Sequence, residues 1–318
     1  MSSSSDEGLP KASSSTVDAA TSISSQGTTH GLMYPPTQTE AFLKCPMLWD
    51  YSRRWLKRGI WTPHAAMGTA LGMACDQLRR PVDGTSPEEI FTSAFSSEWA
   101  SVEGEIDTTW TLDECLVIGE KVLKKVRANT MFVKDSRVLY TQKPLGPQNP
   151  AWFHSSPGHP PAHSIADAIH LTNEGVCIVD DKFSLSVPAQ YVGKRLAETE
   201  VLWQLWQYAY LWNQFHAGEK RPCTHIQKHL MVGHPSPSST IYTVTITPER
   251  MERFAASAQR WWLWMGAMEG SKIKPMNLSS CLSPWRCEFY EACHILHGDE
   301  KNFGVFYNPR NLNPVPGV

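Results

Sequence analysis

The sequence predicts an α/β fold in which helices flank a mixed central sheet, and three observations predict it. First, Ser164–Ser184, SIADAIHLTNEGVCIVDDKFS, reads as two short strands joined by a tight turn at Asn173-Glu174-Gly175. The second of these strands, Val176–Val179, is apolar throughout, as suits a strand buried on both faces. Second, His225–Val232 and Thr240–Thr247 read as two more strands. The latter sets Ile241, Thr243 and Thr245 on one face and Tyr242, Val244 and Ile246 on the other. Third, capped helical patterns precede, separate and follow these strands, an order that gives a sheet covered by helices.

The 318 residues suffice for one large domain or two small ones. We read a Ser/Thr-rich disordered tail over 1–30, because it offers too little apolar surface to offset the entropy of ordering. One domain follows over 31–298: a helical part at about 37–130, a core at about 136–268, and a cysteine segment at 275–295 that includes Cys45. Residues 299–318 read as a C-terminal tail. The formal net charge of −2 gives no global basic signature, so any nucleic-acid binding falls to local patches. Thirteen tryptophans serve mainly as core, with stacking platforms for single-stranded bases as their second use. The chain opens without an apolar signal-like region, and no apolar run reaches the ~18 residues of a membrane span. That predicts a reducing, cytoplasmic setting without membrane association. In such a setting the eight cysteines point to metal or cluster binding rather than disulfides.

In chain order, Thr37-Gln38-Thr39-Glu40 reads as a capping box opening a helix with Phe42 and Leu43. Cys45-Pro46 follows. Arg53, Arg54, Lys57 and Arg58 form the densest basic patch, equally a phosphate surface or a solvated helix face. Met67–Leu78, MGTALGMACDQL, follows with Gly68, Thr69, Ala70 and Gly72. Ser86-Pro87-Glu88-Glu89 starts another, to about Trp99, and Thr111 caps a third, to about Ala128. Lys121, Lys124, Lys125 and Arg127 on the third make a second basic patch. Ser136–Lys143 reads as a strand and Pro144–His163 as a loop, with His163 the histidine nearest Asp167. After the hairpin, Ser186-Val187-Pro188 leads into a long helix to about Phe215, on which Gln204 and Tyr208 share a face at a spacing of four. Thr247-Pro248 opens the last helix, to about Met268, with Trp261, Trp262 and Trp264.

Two clusters carry chemistry. Asp180-Asp181-Lys182 closes the apolar strand, where charge is costly unless paired, solvated or bound to metal. Closing the hairpin brings Asp167 beside Asp180, giving two carboxylates for a divalent cation and a lysine near the reacting group. A solvated acidic turn is the plainer reading of the same residues. The other cluster is Cys281, Cys287 and Cys293, evenly spaced in NLSSCLSPWRCEFYEAC. It is a thiolate site for iron–sulfur or zinc, or else three buried thiols.

Asp167, Asp180-x-Lys182, Gln204-x3-Tyr208, Gly68-Thr69-Ala70 and the Cys45-Pro46 segment occur in an order that resembles the PD-(D/E)xK nuclease superfamily. The resemblance is to its RecB-like branch, with the CRISPR-associated and AddB-like exonucleases, and it covers about residues 37–295. It implies a restriction-endonuclease-like sheet, an inserted helical subdomain, and terminal regions stapled by a [4Fe–4S] cluster on Cys45, Cys281, Cys287 and Cys293. Zinc on the same four cysteines is the alternative. Asp167 and Asp180, with the Asp181 carbonyl, would hold Mg²⁺ or Mn²⁺. Lys182 would position water or stabilise the transition state, while Gln204 and Tyr208 would orient the strand. The implied function is a metal-dependent DNA exonuclease acting on single-stranded or end-unwound DNA, in recombination, repair or phage DNA metabolism. Recombination or replication proteins would be partners, and the host cytoplasm the location if the chain is phage-encoded. In two places the sequence departs from the family. Gly72 stands where the family has a metal-binding histidine, and His64 lies eight residues away, about 12 Å along a helix. The first cysteine gap is five residues where many members have two. Gly72 supports an alternative, a nuclease-fold protein that binds DNA with little or no cutting.

Overall fold

A computed structural model describes residues 36–57, 63–101 apart from 83, 109–129, 136–146, 164–269 apart from 201, 217 and 219–220, and 271–309 apart from 272–273, 278, 280, 282–286, 299 and 306. Residues 1–30, Arg58 and His163 lie outside these. The N-terminal part is helical: α1 (Pro36–Lys44), α2 (Pro46–Arg54), a short β1 (Trp55–Lys57), α3 (Pro63–Arg79), α4 (Pro87–Ala100) and α5 (Leu112–Ala128). Strands β2 (Arg137–Leu145), β3 (Ser164–Leu171) and β4 (Val176–Ser186) follow, then α6 (Ala189–Ala197) and α7 (Trp203–Phe215). The chain continues with β5 (Cys223–His234), β6 (Ser238–Thr245), α8 (Pro248–Glu269) and a final β7 (Tyr307–Pro309). Among the described residues, no helix is long and apolar enough to cross a membrane.

Five strands form the central sheet in the order β2-β3-β4-β5-β6. Only β4 and β5 run parallel; the other pairs are antiparallel. The parallel step requires a crossover, which α6 and α7 provide. The fold is thus α/β with a mixed sheet between helices, as the sequence predicts. One face is covered by α7, which packs across β2 to β5 and is itself backed by α1 and α8. Ile169, Val176, Ile178, Leu205, Trp212 and Ile226 fill this core. The other face is covered by α3 and α5, whose core with α4 includes Leu71, Phe91, Val122, Leu185 and Met231. Helices α4 and α5 start as the sequence predicts, with complete capping boxes at Ser86/Glu89 and Thr111/Glu114. The β3–β4 turn needs its glycine: Gly175 has φ +149°, and a Cβ there would come within 2.7 Å of the Pro222 carbonyl.

Four expectations change. Helix α1 already runs from Pro36, so Thr37–Glu40 lie inside it and form no cap, and the Glu40 carboxylate serves another helix instead. Strand β4 does not end at Asp180; it continues to Ser186, because the charges along it find partners on both faces. The predicted long helix is two helices separated by a turn at Glu198–Glu200, where Thr199 bonds back to the Leu196 carbonyl and Glu200 is tied to Tyr242 and Arg250. Finally, residues 300–309 are no tail. A helical turn at Glu300–Val305 and β7, paired with β1, bury Phe303 and Tyr307 against Tyr51 and Phe289.

Candidate active site

Alternation along β4 sorts the charged triplet. Val176 and Ile178 belong to the α7 side, so Asp180 and Lys182 fall on that side too, while Phe183 and Leu185 pack with α3. Ladder pairing between β3 and β4 reaches Ala168↔Val179 and stops, leaving Asp167 and Asp180 at the point where the strands part. Asp167 accepts a hydrogen bond from the Asp181 amide at 2.8 Å, and Lys182 donates to Asp180 Oδ1 at 2.9 Å. Asp180 is fully buried, and its Oδ2 has no hydrogen-bond partner among the described residues.

The electrostatics follow from burial. Desolvation, then the charges of Asp180 and Asp181, push the Asp167 carboxyl up to about 7. Burial also raises Asp180, with Lys182 opposing it. For Lys182, burial disfavours the ammonium, but Asp180, Asp167 and Glu40 more than restore it, and its pKa is raised. Helix α7 presents Gln204 and Tyr208 to this group: Gln204 Nε2 donates to the Tyr208 hydroxyl at 2.5 Å. Burial and the Asp180 carboxylate raise the Tyr208 phenol. Gln207 fixes the helix to β3 by donating to Ser164 Oγ at 3.2 Å.

Asp181 points the other way. Arg79 from α3 donates to both its oxygens, at 2.6 and 2.7 Å, and His229 Nδ1 lies 2.8 Å from Oδ1. Burial alone would raise the Asp181 carboxyl, but Arg79 and His229 hold it far below the carboxylate range. Cys75, Asp181 and His229 are, among the described residues, the one trio of such donor groups within 4.8 Å of one another. With the Arg79 guanidinium already on Asp181, a second cation has no charge to bind there; Asp181 is the centre of a buried network with Arg79 and His229, and Cys75 stays a thiol facing Met231. The network serves the site indirectly, since the strand it anchors carries the amide that holds Asp167.

The structure therefore gathers Asp167, Asp180, Lys182, Gln204 and Tyr208 at one place, with the Asp181 side chain on the opposite face. Gly72 lies on α3, and among the described residues nothing beyond its own helical turn comes within 4 Å of the position a Cβ would take. His64 supplies no substitute there: its Nδ1 accepts from the Leu185 amide at 3.5 Å and its ring packs on Phe183. Two residues that sequence reasoning missed join the group. Glu40, on α1, accepts from the Gln204 amide at 3.3 Å; Lys228, on β5, is aligned with Asp180 on β4. In the basic patches, Arg53 lies over the Trp49 ring, Arg54 is bound by Asp50 and Glu300, and Arg127 by Glu88.

Cys45, at the N-cap of α2, meets the C-terminal cysteines. Asn277 donates its amide to Cys45 Sγ at 3.4 Å and accepts from Cys281 Sγ at 3.7 Å. Burial raises the Cys293 thiol to about 11, with Cys45, Cys287 and Cys281 adding to it, so the four sulfurs share one neighbourhood. All four cysteines are free of disulfides.

A crystal structure of a candidate exonuclease from Eubacterium rectale is similar at a TM-score of 0.46, with 13% identity over 84% of this chain and 88% of that one. SSO0001 gives a TM-score of 0.29 and 12% identity, covering 81% of this chain and 96% of its own. LHK-Exo, crystallised in complex with dAMP, gives 0.29 and 8%, covering 64% and 92%. These likenesses are distant. No protein-family model matches the chain, and no curated protein does.

Proposed function

We propose that the protein is a metal-dependent nuclease of the RecB type that hydrolyses DNA from free single-stranded or unwound ends. The observation that carries this reading is the buried Oδ2 of Asp180, without a hydrogen-bond partner among the described residues, beside the Asp167 carboxyl that burial and Asp180 push up to about 7. Two desolvated carboxylates at one point are costly unless a cation joins them. Asp167 and Asp180 would hold Mg²⁺ or Mn²⁺, which when bound lowers the pKa of water and neutralises phosphate charge. Lys182, half-exposed at 38%, offers its ammonium to the charge that develops on the phosphate. Gln204 and Tyr208, locked together, present a fixed polar edge to the strand.

Cys45, Cys281, Cys287 and Cys293 would hold a structural [4Fe–4S] cluster, since hydrolysis moves no electrons. Four free thiols in one neighbourhood fit this group. Zinc on the same four thiols is the alternative, because thiolates hold either group.

The test is degradation of end-labelled single- and double-stranded DNA in Mg²⁺ or Mn²⁺, against a chelator control. Asp180→Asn and Lys182→Met should each abolish cutting while leaving thermal unfolding cooperative. Cutting at the wild-type rate by both variants would refute the assignment. The open space at Gly72 favours a second reading, a DNA-binding protein of nuclease fold; wild-type protein that binds DNA but never cuts would select it.

A further inference from the structure

Helix α3 packs across β2, β3 and β4. Its end reaches the fork where β3 and β4 part, because Arg79 bonds both oxygens of Asp181 there. Asp76 stands just before Arg79 and one turn after Gly72, so Gly72 and Asp76 share a helix face. Asp76 Oδ2 accepts from Gln142 Nε2 at 3.1 Å. Asp76 Oδ1 is buried and has no hydrogen-bond partner among the described residues. Arg79 Nη1 is 3.7 Å from it, with the guanidinium already committed to Asp181. Gln142 ties this carboxylate to Asp167. The β2–β3 register is the same on either side, at Thr141↔Ala168 and Lys143↔Ala166, so Gln142 stands opposite Asp167. Residues opposite each other in an antiparallel pair have Cα atoms about 4.5–5.5 Å apart. Gln142 holds φ +47° there, a backbone conformation that favours glycine.

Carboxylates thus crowd the fork: Asp76 and Asp167 beside Asp180 and Asp181. Asp181 has Arg79 and His229 against it, and Asp180 has Lys182. No cation is hydrogen-bonded to Asp76 or Asp167 among the described residues, and Asp180, fully buried, keeps Oδ2 without a partner. Carboxylates gathered at low dielectric repel one another unless a cation joins them. Asp76, Asp167 and Asp180 do not all come within 4.8 Å of one another. An ion on Asp167 and Asp180 therefore reaches Asp76 through water, which suits Mg²⁺ because it usually keeps several of its waters.

We propose that Asp76, set in place by Gln142, completes the cation site by accepting a hydrogen bond from water that an ion on Asp167 and Asp180 retains. It supplies a carboxylate from the helix face that Gly72 leaves without a side chain. Asp76 is a positioning residue, and Gln142 fixes its direction at the cost of a left-handed backbone. This role rests on the reading of Asp167 and Asp180 as a divalent-cation site, and ion binding is measured without DNA.

The experiment titrates the full-length protein with Mn²⁺, following the electron paramagnetic resonance signal of the free ion, beside thermal unfolding of each variant in chelator. Loss of an outer partner of a bound metal typically lowers affinity about 10–100-fold. Asp76→Asn keeps the shape and can still accept from Gln142, so it should weaken Mn²⁺ binding by about tenfold or more, with Asp76→Glu restoring most of it. Gln142→Gly should also weaken Mn²⁺ binding, yet unfold no earlier than wild type, because glycine suits φ +47°. A purely structural role for the pair would make affinity and unfolding fall together. Glu120→Gln, on α5, should change neither. Wild-type affinity in folded Asp76→Asn, where Asp180→Asn has lost binding, would overturn the role of Asp76 and leave the cation site standing. Wild-type protein that binds no Mn²⁺ at millimolar concentrations would overturn the cation site and the role of Asp76 with it. Should Gln142→Gly fail to fold, Asp76→Asn decides alone. Protein whose Mn²⁺ affinity depends on Asp76 but which cuts no DNA would sink the hydrolytic reading only.

Discussion

Asp180 and Asp181 are adjacent in sequence and opposite in circumstance. Asp181 has its charge met by Arg79, whose side chain is 1% exposed. Removing one member of such a pair leaves an unmatched buried charge, a loss of about 3–5 kcal/mol. Urea unfolding of Arg79→Met should register a destabilisation of that order; an unchanged midpoint would show that the pair contributes nothing. Asp76, one helical turn beyond Gly72, poses a gentler version of the problem. It accepts from Gln142, yet burial pushes its carboxyl up to about 6. Its unfolded value is about 3.9, so between these the folded chain binds the extra proton. Its contribution to stability is therefore greatest below about pH 4 and falls as pH rises to about 6. Asp76→Asn should remove this decline, so its Tm relative to wild type should climb across that interval. A difference that stays constant with pH would refute the assignment.

The strands and helices show why part of the site could be read in advance. Asp167, Asp180 and Lys182 sit on one hairpin, and Gln204 and Tyr208 on one helix, so local geometry brings each set together. Glu40 and Lys228 had no such signal. Glu40 reaches the site only because α1 packs on the end of α7, and Lys228 only through the register of a parallel pair joined by a crossover of two helices. The same limit explains the misplaced end of β4: nothing local announces that Arg79, 102 positions earlier, will compensate Asp181 and let the strand continue. The hairpin also offers a direct check on how β4 is set. Gly175→Ala must accommodate a Cβ 2.7 Å from the Pro222 carbonyl at φ +149°. It should cost more than about 1 kcal/mol in chemical denaturation. A neutral effect would mean that the turn relaxes and does not fix the β3–β4 register.

The chain closes on itself through its ends. Trp55–Lys57 pairs with Tyr307–Pro309, Arg54 binds Glu300, and Cys45 meets a segment 232 positions later. Loop entropy grows only logarithmically with length, so this separation adds little to the cost of closure. On the proposed cluster reading, thiolate–metal bonds would cross this closure, and folding should then depend on the cofactor. Anaerobically purified protein should be brown and contain iron and acid-labile sulfide. Cys45→Ser and Cys287→Ser should lose both colour and thermal stability. Cys75→Ser, Cys115→Ser, Cys177→Ser and Cys223→Ser should stay brown, because those thiols lie in the sheet and helix cores. Colourless protein with stoichiometric zinc would replace the cluster with a single ion.

The β1–β7 pairing also imposes an order in time. A ribosome adds about 5–20 residues each second. Pro309 follows Lys57 by 252 positions, which therefore take on the order of ten seconds or more to appear. Throughout that interval β1 has no partner strand and Cys45 stands without its three companions. Helix α1, which carries Glu40 to the site, is not yet pinned at its far end. A growing chain can complete the β3–β4 hairpin and its α7 face well before this seal exists. The fold would thus be finished from the centre outward, with Asp167, Asp180 and Lys182 brought together before Cys45 meets its C-terminal companions.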